Sequence, residues 1–532
     1  MKRGHAPLSV IVGGITILAL AGCTAASEYA PRAVNFPIPS QDVVELPEGS
    51  VDVAVEELPN IVARILDESG IPGAAVTVVR DEEVLLAEGF GVRRSGEDAE
   101  IDAETVFQIA SMSKPIGATV VASQVTEGVV SWETPVVEHL EGFALADPWV
   151  TEHLTIGDLY AHRSGLPLAA GDDLEDIGYD REYIIDHLRM QPLDPFRITY
   201  NYANFGMTTG AEAVSVAAGV DWATLSEQAL YEPLGMASTS SRYADFLEHE
   251  NRAALHTRVG DGFEPLYERM PDAQSPAGGV TTNAVDLAKW MSMVIGQGTF
   301  SGDEIATPEA LLPAISPQIV SGHPAFADMR AGNYGYGFNV GVQPSGRVTI
   351  SHSGAFVLGA ATNFVIVPEL GLGIAAITNG GPVGAAEAIV AEFLDRVQFG
   401  DATRDWLADY GLALGHYHAP AGDLVDEEAP ASPAPPRPLE EYAGSWSNAY
   451  FGAAVVEVAG DGLLARLGPD GSYELDLTHW DGDVFSFVPS GENAPEGSIS
   501  SATFAIGAGG ETMTLDFFDT NGLGTWTRSS PG

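Results

Sequence analysis

From Val51 to Ser69 apolar residues recur at helical spacing, at Val55, Leu58, Ile61, Val62, Ile65 and Leu66, and Gly70 ends the run. Pro59 lies inside this stretch. Because proline suits a first turn, the regular helix is expected to begin only about there. Two strand-like runs follow, Ala74–Val79 and Val84–Gly91, about the polar turn Arg80-Asp81-Glu82-Glu83, which predicts an antiparallel hairpin. From about Ser131 to Gly337 the pattern is mainly helical, with long loops. Strand-like runs return at Arg347–Ser351, Ala360–Val367 and Leu372–Thr378, and Val383–Val397 reads as a closing helix. A hairpin at one end and strands at the other, separated by helices, predict an α+β fold. Its antiparallel sheet is assembled from both ends of the domain, with a helical subdomain beside it and a cleft between the two.

Past this domain the pattern changes. His416–Arg437 holds Pro420, Pro430, Pro433, Pro435 and Pro436 among alanines and acids, and reads as a linker. From Pro438 onward short alternating runs take over, at Ala453–Val458, Leu463–Leu467, Tyr473–Leu477, Val484–Val488, Ser500–Ile506 and Thr512–Phe517. They suggest about eight short strands and a small closed all-β barrel over 438–532. These strands show no obvious excess of large inward apolar residues, which argues against a barrel built mainly to hold an apolar ligand.

Composition narrows the function. The chain of 532 residues has a formal charge of −50 and a pI near 4.2, which excludes nucleic acid as a partner. The acids are spread along the chain and read as a solvated surface. The one cysteine, Cys23, permits no internal disulfide and no cysteine metal cluster. Lys2 and Arg3 form a basic start, and Leu8–Gly22 is an apolar run too short to span a bilayer comfortably. Leu20-Ala21-Gly22-Cys23 resembles the lipobox of bacterial lipoproteins. That resemblance implies a signal peptide over 1–22, a lipidated Cys23 as mature N-terminus, and a tether over 23–50. The body is then expected to be extracytoplasmic and held to the membrane by acyl chains. Thr24, rather than aspartate, after the cysteine would suit the outer membrane in a cell that has one.

Candidate chemistry begins at Gln108-Ile109-Ala110-Ser111-Met112-Ser113-Lys114-Pro115. A helix starting at Ser111 would put Lys114 one turn along the same face, beside free backbone N–H groups. Serine-x-x-lysine is then a nucleophile and base pair, provided that burial and nearby cations lower the lysine pKa from about 10.4. The same spacing also describes an ordinary surface lysine. Lysine usage favours the chemical reading: after residue 23 only Lys114 and Lys289 occur, while arginine is used at twenty positions. Only lysine of the two can shed its proton. Other catalytic patterns are missing, since no Gly-x-Ser-x-Gly or His-Glu-x-x-His stretch occurs.

Two further stretches belong with it. Tyr200-Asn201-Tyr202-Ala203-Asn204-Phe205-Gly206 sets a phenol and an amide two residues apart, and Ser351-His352-Ser353-Gly354-Ala355-Phe356 ends a predicted strand with a glycine. In this order the three stretches resemble the serine β-lactamase and penicillin-binding protein superfamily. Its class C-like branch, with related esterases and D-amino-acid peptidases, is the nearest. The resemblance runs over about 51–400, within a hydrolase domain expected over 51–415. It includes His162-Arg163-Ser164-Gly165-Leu166-Pro167, Ala277-Gly278-Gly279 and Tyr334-Gly335-Tyr336-Gly337. The C-terminal part resembles a lipocalin-like domain, through Tyr442-Ala443-Gly444-Ser445-Trp446 and Leu477-Thr478-His479-Trp480.

The resemblance implies that Ser111 attacks a carbonyl and forms an acyl-enzyme that water hydrolyses. Lys114 and Tyr202 share the proton transfers, and which of them is the base stays open. Asn204 orients Lys114 and binds the substrate amide. The oxyanion sits between the backbone N–H groups of Ser111 and Ala355, in a site completed by Ser353 and Gly354. His352 stands where efficient lactamases carry lysine, and is expected in the catalytic cleft but uncharged near pH 7. That places the chain nearer the peptidases and esterases, acting on small molecules or peptides without metal or organic cofactor. The alternatives are a β-lactamase and a penicillin-binding sensor that acylates without turnover.

Overall fold

The computed structural model describes residues 43–507 and 510–529. Cys23, the signal segment and the tether up to residue 42 lie outside them. The helix Ser50–Ser69 (α1) leads into strands Gly73–Arg80 (β1) and Glu83–Gly91 (β2). After the helical insert come Ile319–Gly322 (β3), Gly332–Tyr334 (β4), Asn339–Val342 (β5), Val348–Phe356 (β6), Ala360–Val367 (β7) and Leu372–Thr378 (β8). They form one antiparallel sheet in the order β2-β1-β8-β7-β6-β5-β4-β3. N-terminal β1 thus lies beside C-terminal β8, in register from Ala74 opposite Thr378 to Arg80 opposite Leu372.

Both faces of this sheet are covered, so β1 is apolar along its length rather than alternating. Ala74, Val76 and Val78 join Leu58, Ile61, Val62 and Ile65 of α1 and Ile389 and Phe393 of the closing helix Ala385–Phe399 in one core. Ala75 and Val79, pointing the other way, join the larger core of the helical insert. Pro59 does not delay α1 as its position suggests: the helix starts at Ser50 and runs through it. The buried stripe has members on both sides of the proline, Ala54 before it and Leu58 to Leu66 around and after it. Packing of that stripe outweighs the missing backbone donor, a defect of about 3 kcal/mol. The end of the expected tether is also engaged, as the Val44 N–H donates to the Ser345 carbonyl at 2.9 Å.

The C-terminal part closes into an eight-stranded barrel from Gly444–Asn448 to Thr525–Arg528. Its interior is filled by its own side chains, among them Trp446, Phe451, Phe485, Phe504, Met513 and Trp526. The proline-rich stretch before it lies along the barrel rather than free. The Ile499 N–H donates to Ala421 O at 3.1 Å, and Asp423 accepts from the Ser500 and Ser501 hydroxyls at 2.8 and 2.7 Å. Tyr450, on the barrel, donates to Asp173 of the helical insert at 2.9 Å and accepts from Gln191 at 2.6 Å.

Candidate active site

A left-handed residue precedes the nucleophile. Ala110 has φ 46°, a strained conformation for a residue with a Cβ. Three contacts hold it: the Ser113 hydroxyl donates to Ala110 O at 2.6 Å and accepts from the Val280 N–H at 2.9 Å, and Thr362 Oγ1 donates to Ile109 O at 2.9 Å. Ser113 is therefore buried and occupied, and Ser111 is the serine of this stretch that stays half-buried at the cleft. The turn Ala110–Met112 passes into the helix Ser113–Thr126, which puts Lys114 in its first turn.

Lys114 is fully buried, with its amine among three oxygens. It donates to Asn204 Oδ1 at 2.7 Å and to the Ala277 carbonyl at 2.9 Å, and lies 3.0 Å from Ser111 Oγ. The first two partners are carbonyl oxygens that can only accept. A neutral amine satisfies both with its two hydrogens and turns its lone pair to the Ser111 hydroxyl. Burial brings the Lys114 pKa down to about 7, against the pull of Asp172 in the other direction. The amine also stands 4.5 Å from the centre of the Tyr202 ring. Burial raises the Tyr202 phenol well above its ordinary value, an effect that the Ser111 hydroxyl lessens, so the phenol keeps its proton.

Asn204 opens the helix Asn204–Ala218, and its amide nitrogen donates to Asp172 Oδ2 at 2.9 Å. Asp172 was not legible in the sequence, where it is one acid among 74 with no motif around it. Burial and the neighbouring Glu175 and Asp176 carboxyls hold it well above the usual carboxylate range. The Asp172 carboxyl, with its ionised form disfavoured by burial, thus stands behind the Lys114–Asn204 pair.

The accessory stretches support the loop that carries Tyr202. His162, at φ 54°, accepts the Ala203 N–H on Nδ1 at 3.2 Å and packs 4.5 Å from the Tyr202 ring. Arg163 and Arg197 both bind the fully buried Asp158, each with a contact of 2.8 Å. Removing Asp158 takes a shared carboxylate from the half-buried Arg163 and the exposed Arg197 and breaks the capping box it forms with Thr155. Asp158→Ala is expected to cost about 2 kcal/mol, seen as a lower denaturant midpoint.

His352 lies on β6, 4% exposed, with both ring nitrogens occupied. Nδ1–H donates to Ser353 O at 2.6 Å, and Nε2 accepts the Tyr334 phenol at 2.9 Å. Burial and the Lys114 amine bring its pKa down to about 3. Both ring nitrogens of His352, expected in the catalytic cleft, are thus occupied within the protein, and the ring lies beside Tyr202, 6.3 Å away between ring centres.

β5 pairs with β6 only as far as Ser351, so 352–356 has an edge free of β5 and lies against the nucleophile turn. A Cβ on Gly354 would come within 2.2 Å of Ile109 O and 2.9 Å of Met112 N, which explains the glycine. Gly354→Ala must push this strand off the Ser111 turn, and about a hundredfold loss of kcat/KM is expected. The Ser353 hydroxyl accepts from Asn363 Nδ2 at 2.8 Å. Ala355 pairs with Ala361 of β7.

The family model described as Beta-lactamase matches residues 58–397. The chain belongs to the beta-lactamase family. A second model, a domain of unknown function called DUF3471, matches residues 428–526. Among curated relatives, this beta-lactamase family member is similar to Unguisins hydrolase ungD of Aspergillus violaceofuscus. The two are 25% identical over 506 residues, covering 86% of this chain and 87% of the relative. It is also similar to Penicillin-binding protein 4 of Amycolatopsis lactamdurans, 27% identical over 380 residues, covering 70% and 92%. Among solved structures, an octameric penicillin-binding protein homologue from Pyrococcus abyssi shares the fold, with TM-score 0.57, 19% identity and coverage of 89% and 100%. A class C beta lactamase from Rhodobacter sphaeroides shares it with TM-score 0.52, 20% identity and coverage of 65% and 98%. The chain is thus a beta-lactamase-related serine hydrolase by family, with an α+β catalytic fold and a C-terminal β-barrel.

Proposed function

We propose that this hydrolase cleaves an amide or ester bond through an acyl-enzyme on Ser111, with D-residue peptides or small esters as its substrates. The observation that carries the reading is the Lys114 amine, 3.0 Å from Ser111 Oγ with both its hydrogens committed elsewhere. In this reading neutral Lys114 takes the Ser111 proton as Oγ attacks the carbonyl carbon. The oxyanion forms between the N–H groups of Ser111 and Ala355, each such donor contributing about 3 kcal/mol. Tyr202, protonated, gives its proton to the leaving group and recovers one from Lys114. Water then attacks the ester with Lys114 again as base. Asn204 and Asp172 keep the amine in place, and one of the Asn204 N–H groups is left for a substrate amide.

The relative named a hydrolase of unguisins supports turnover. Neutral His352, where a lactamase would carry a cation, supports a peptidase or esterase over a dedicated β-lactamase. The lipobox-like stretch ending at Cys23 supports an extracytoplasmic, lipid-anchored enzyme. Steady-state hydrolysis of p-nitrophenyl esters and D-Ala-D-Ala peptides tests the reading. Sustained release is expected, and a single stoichiometric burst would instead mark a penicillin-binding sensor.

The proton transfers also set a pH dependence. A base must be unprotonated to act, so activity is absent when Lys114 carries its proton and present when it does not. The kcat/KM is expected to rise through an apparent pKa of about 7, the value burial gives Lys114, and to level off above it. Replacing water by D2O with a full pH profile checks that a proton moves in this limb.

A further inference from the structure

One loop of the barrel reaches two elements of the catalytic domain at once. The Val357 N–H donates to Glu492 Oε1 at 2.5 Å, and Asn493 Nδ2 donates to Asp176 Oδ2 at 2.7 Å. Val357 lies two residues past Ala355, whose N–H serves the oxyanion in the reading above. Asp176 ends the short helix Asp172–Asp176, which begins at the carboxyl bound by Asn204. Two neighbouring barrel residues thus hold the end of the strand that lies against the Ser111 turn and the helix that backs Lys114.

Both elements are weakly fixed by the catalytic domain itself. Beyond Ser351, β6 is paired on one edge only, with β7, and that pairing ends at Phe356 opposite Ala360. The helix has five residues, too few to hold its own shape, and its N-cap, Gly171, brings no side-chain cap. What its carboxyls bind therefore sets where it lies. Asp173 accepts from the barrel's Tyr450 at 2.9 Å, Asp176 from Asn493, and Glu175 from Arg269 at 2.5 Å. Two of these three ties come from the barrel. Resting on the serine-hydrolase reading above, we infer that Glu492 and Asn493 are positioning residues for the reaction. Their loop clamps the oxyanion strand and the helix behind Lys114 at a fixed separation, so the barrel acts in catalysis although its own interior is filled.

The test uses the full chain at pH 7 with p-nitrophenyl acetate, and reads kcat and KM separately. Burial pushes the Glu492 carboxyl up to about 8, so at this pH glutamine replaces it closely. Glu492→Gln keeps an oxygen for the Val357 N–H and should hold kcat within about threefold of wild type. Glu492→Ala loses that oxygen and is expected to lower kcat about 30-fold with KM within about twofold, because misplaced reacting groups cost rate rather than binding. Asn493→Ala, at an exposed position where folding should not suffer, is expected to lower kcat about fivefold. Tyr183→Phe is the control. Tyr183 donates to the barrel at Tyr450 O at 2.9 Å but lies on neither element, so its kcat should stay within about twofold. Wild-type kcat in both alanine variants, a loss in Glu492→Gln as large as in Glu492→Ala, or an equal loss in Tyr183→Phe overturns the clamp. If Ser111→Ala turns the ester over as wild type does, the serine-hydrolase reading itself fails and the clamp falls with it.

Discussion

Ser111→Ala is expected to remove turnover by at least about 10⁴-fold and to abolish labelling by a fluorophosphonate or a fluorescent penicillin. The side chain is small and half-buried, so the variant should fold as the wild type does, and its unfolding midpoint should be unchanged. Ser113, two residues on, cannot substitute. Its hydroxyl is buried, donating to Ala110 O at 2.6 Å and accepting from the Val280 N–H at 2.9 Å. Residual rate near that of wild type in Ser111→Ala would mean that another group is the nucleophile.

Lys114→Arg is the second large effect, about 10³-fold on acylation, the usual scale of general-base loss. The substitution keeps a cation, so a role for lysine as mere positive charge predicts a mild effect. The geometry predicts a severe one for two reasons. The amine fits between Asn204 Oδ1 and the Ala277 carbonyl at 2.7 and 2.9 Å, a space cut for one nitrogen rather than a planar guanidinium. Arginine, moreover, cannot present a lone pair to the serine in a protein. Stopped-flow acylation by a p-nitrophenyl ester reads the rate. An unfolding curve on the same sample separates lost chemistry from lost structure.

How far the sequence carried this account depended on whether a feature was local. Ser111 and Lys114 are one helical turn apart, so spacing alone placed them together, and the scarcity of lysine singled the pair out. The antiparallel sheet joining both ends of the domain followed from where strand-like runs occurred, and the barrel from their short spacing. The strands Ile319–Gly322, Gly332–Tyr334 and Asn339–Val342 leave no legible pattern in the sequence. They are three or four residues long, too few to show a period. Asp172 is hydrogen-bonded into the site through Asn204, a contact between residues 32 apart, and nothing in its own neighbourhood marks it. The signature stretches are legible in the sequence, but their roles are not. That Ala277 lends a backbone carbonyl to Lys114, or that Tyr334 occupies His352, is information held in the fold and not in residue type. Pro59 shows the reverse case, in which a strong local signal yields to the burial of the stripe around it.

Peptide-mapped mass spectrometry of the fluorophosphonate adduct, taken as a time course on wild type and Lys114→Arg at pH 8, tests the central claim most directly. That claim is that an unprotonated amine at 114 activates the hydroxyl at 111. The expected result is one adduct, on the peptide bearing Ser111, that forms quickly in wild type and about 10³-fold more slowly in the variant. An adduct on another serine, or equal rates in the two proteins, would contradict it.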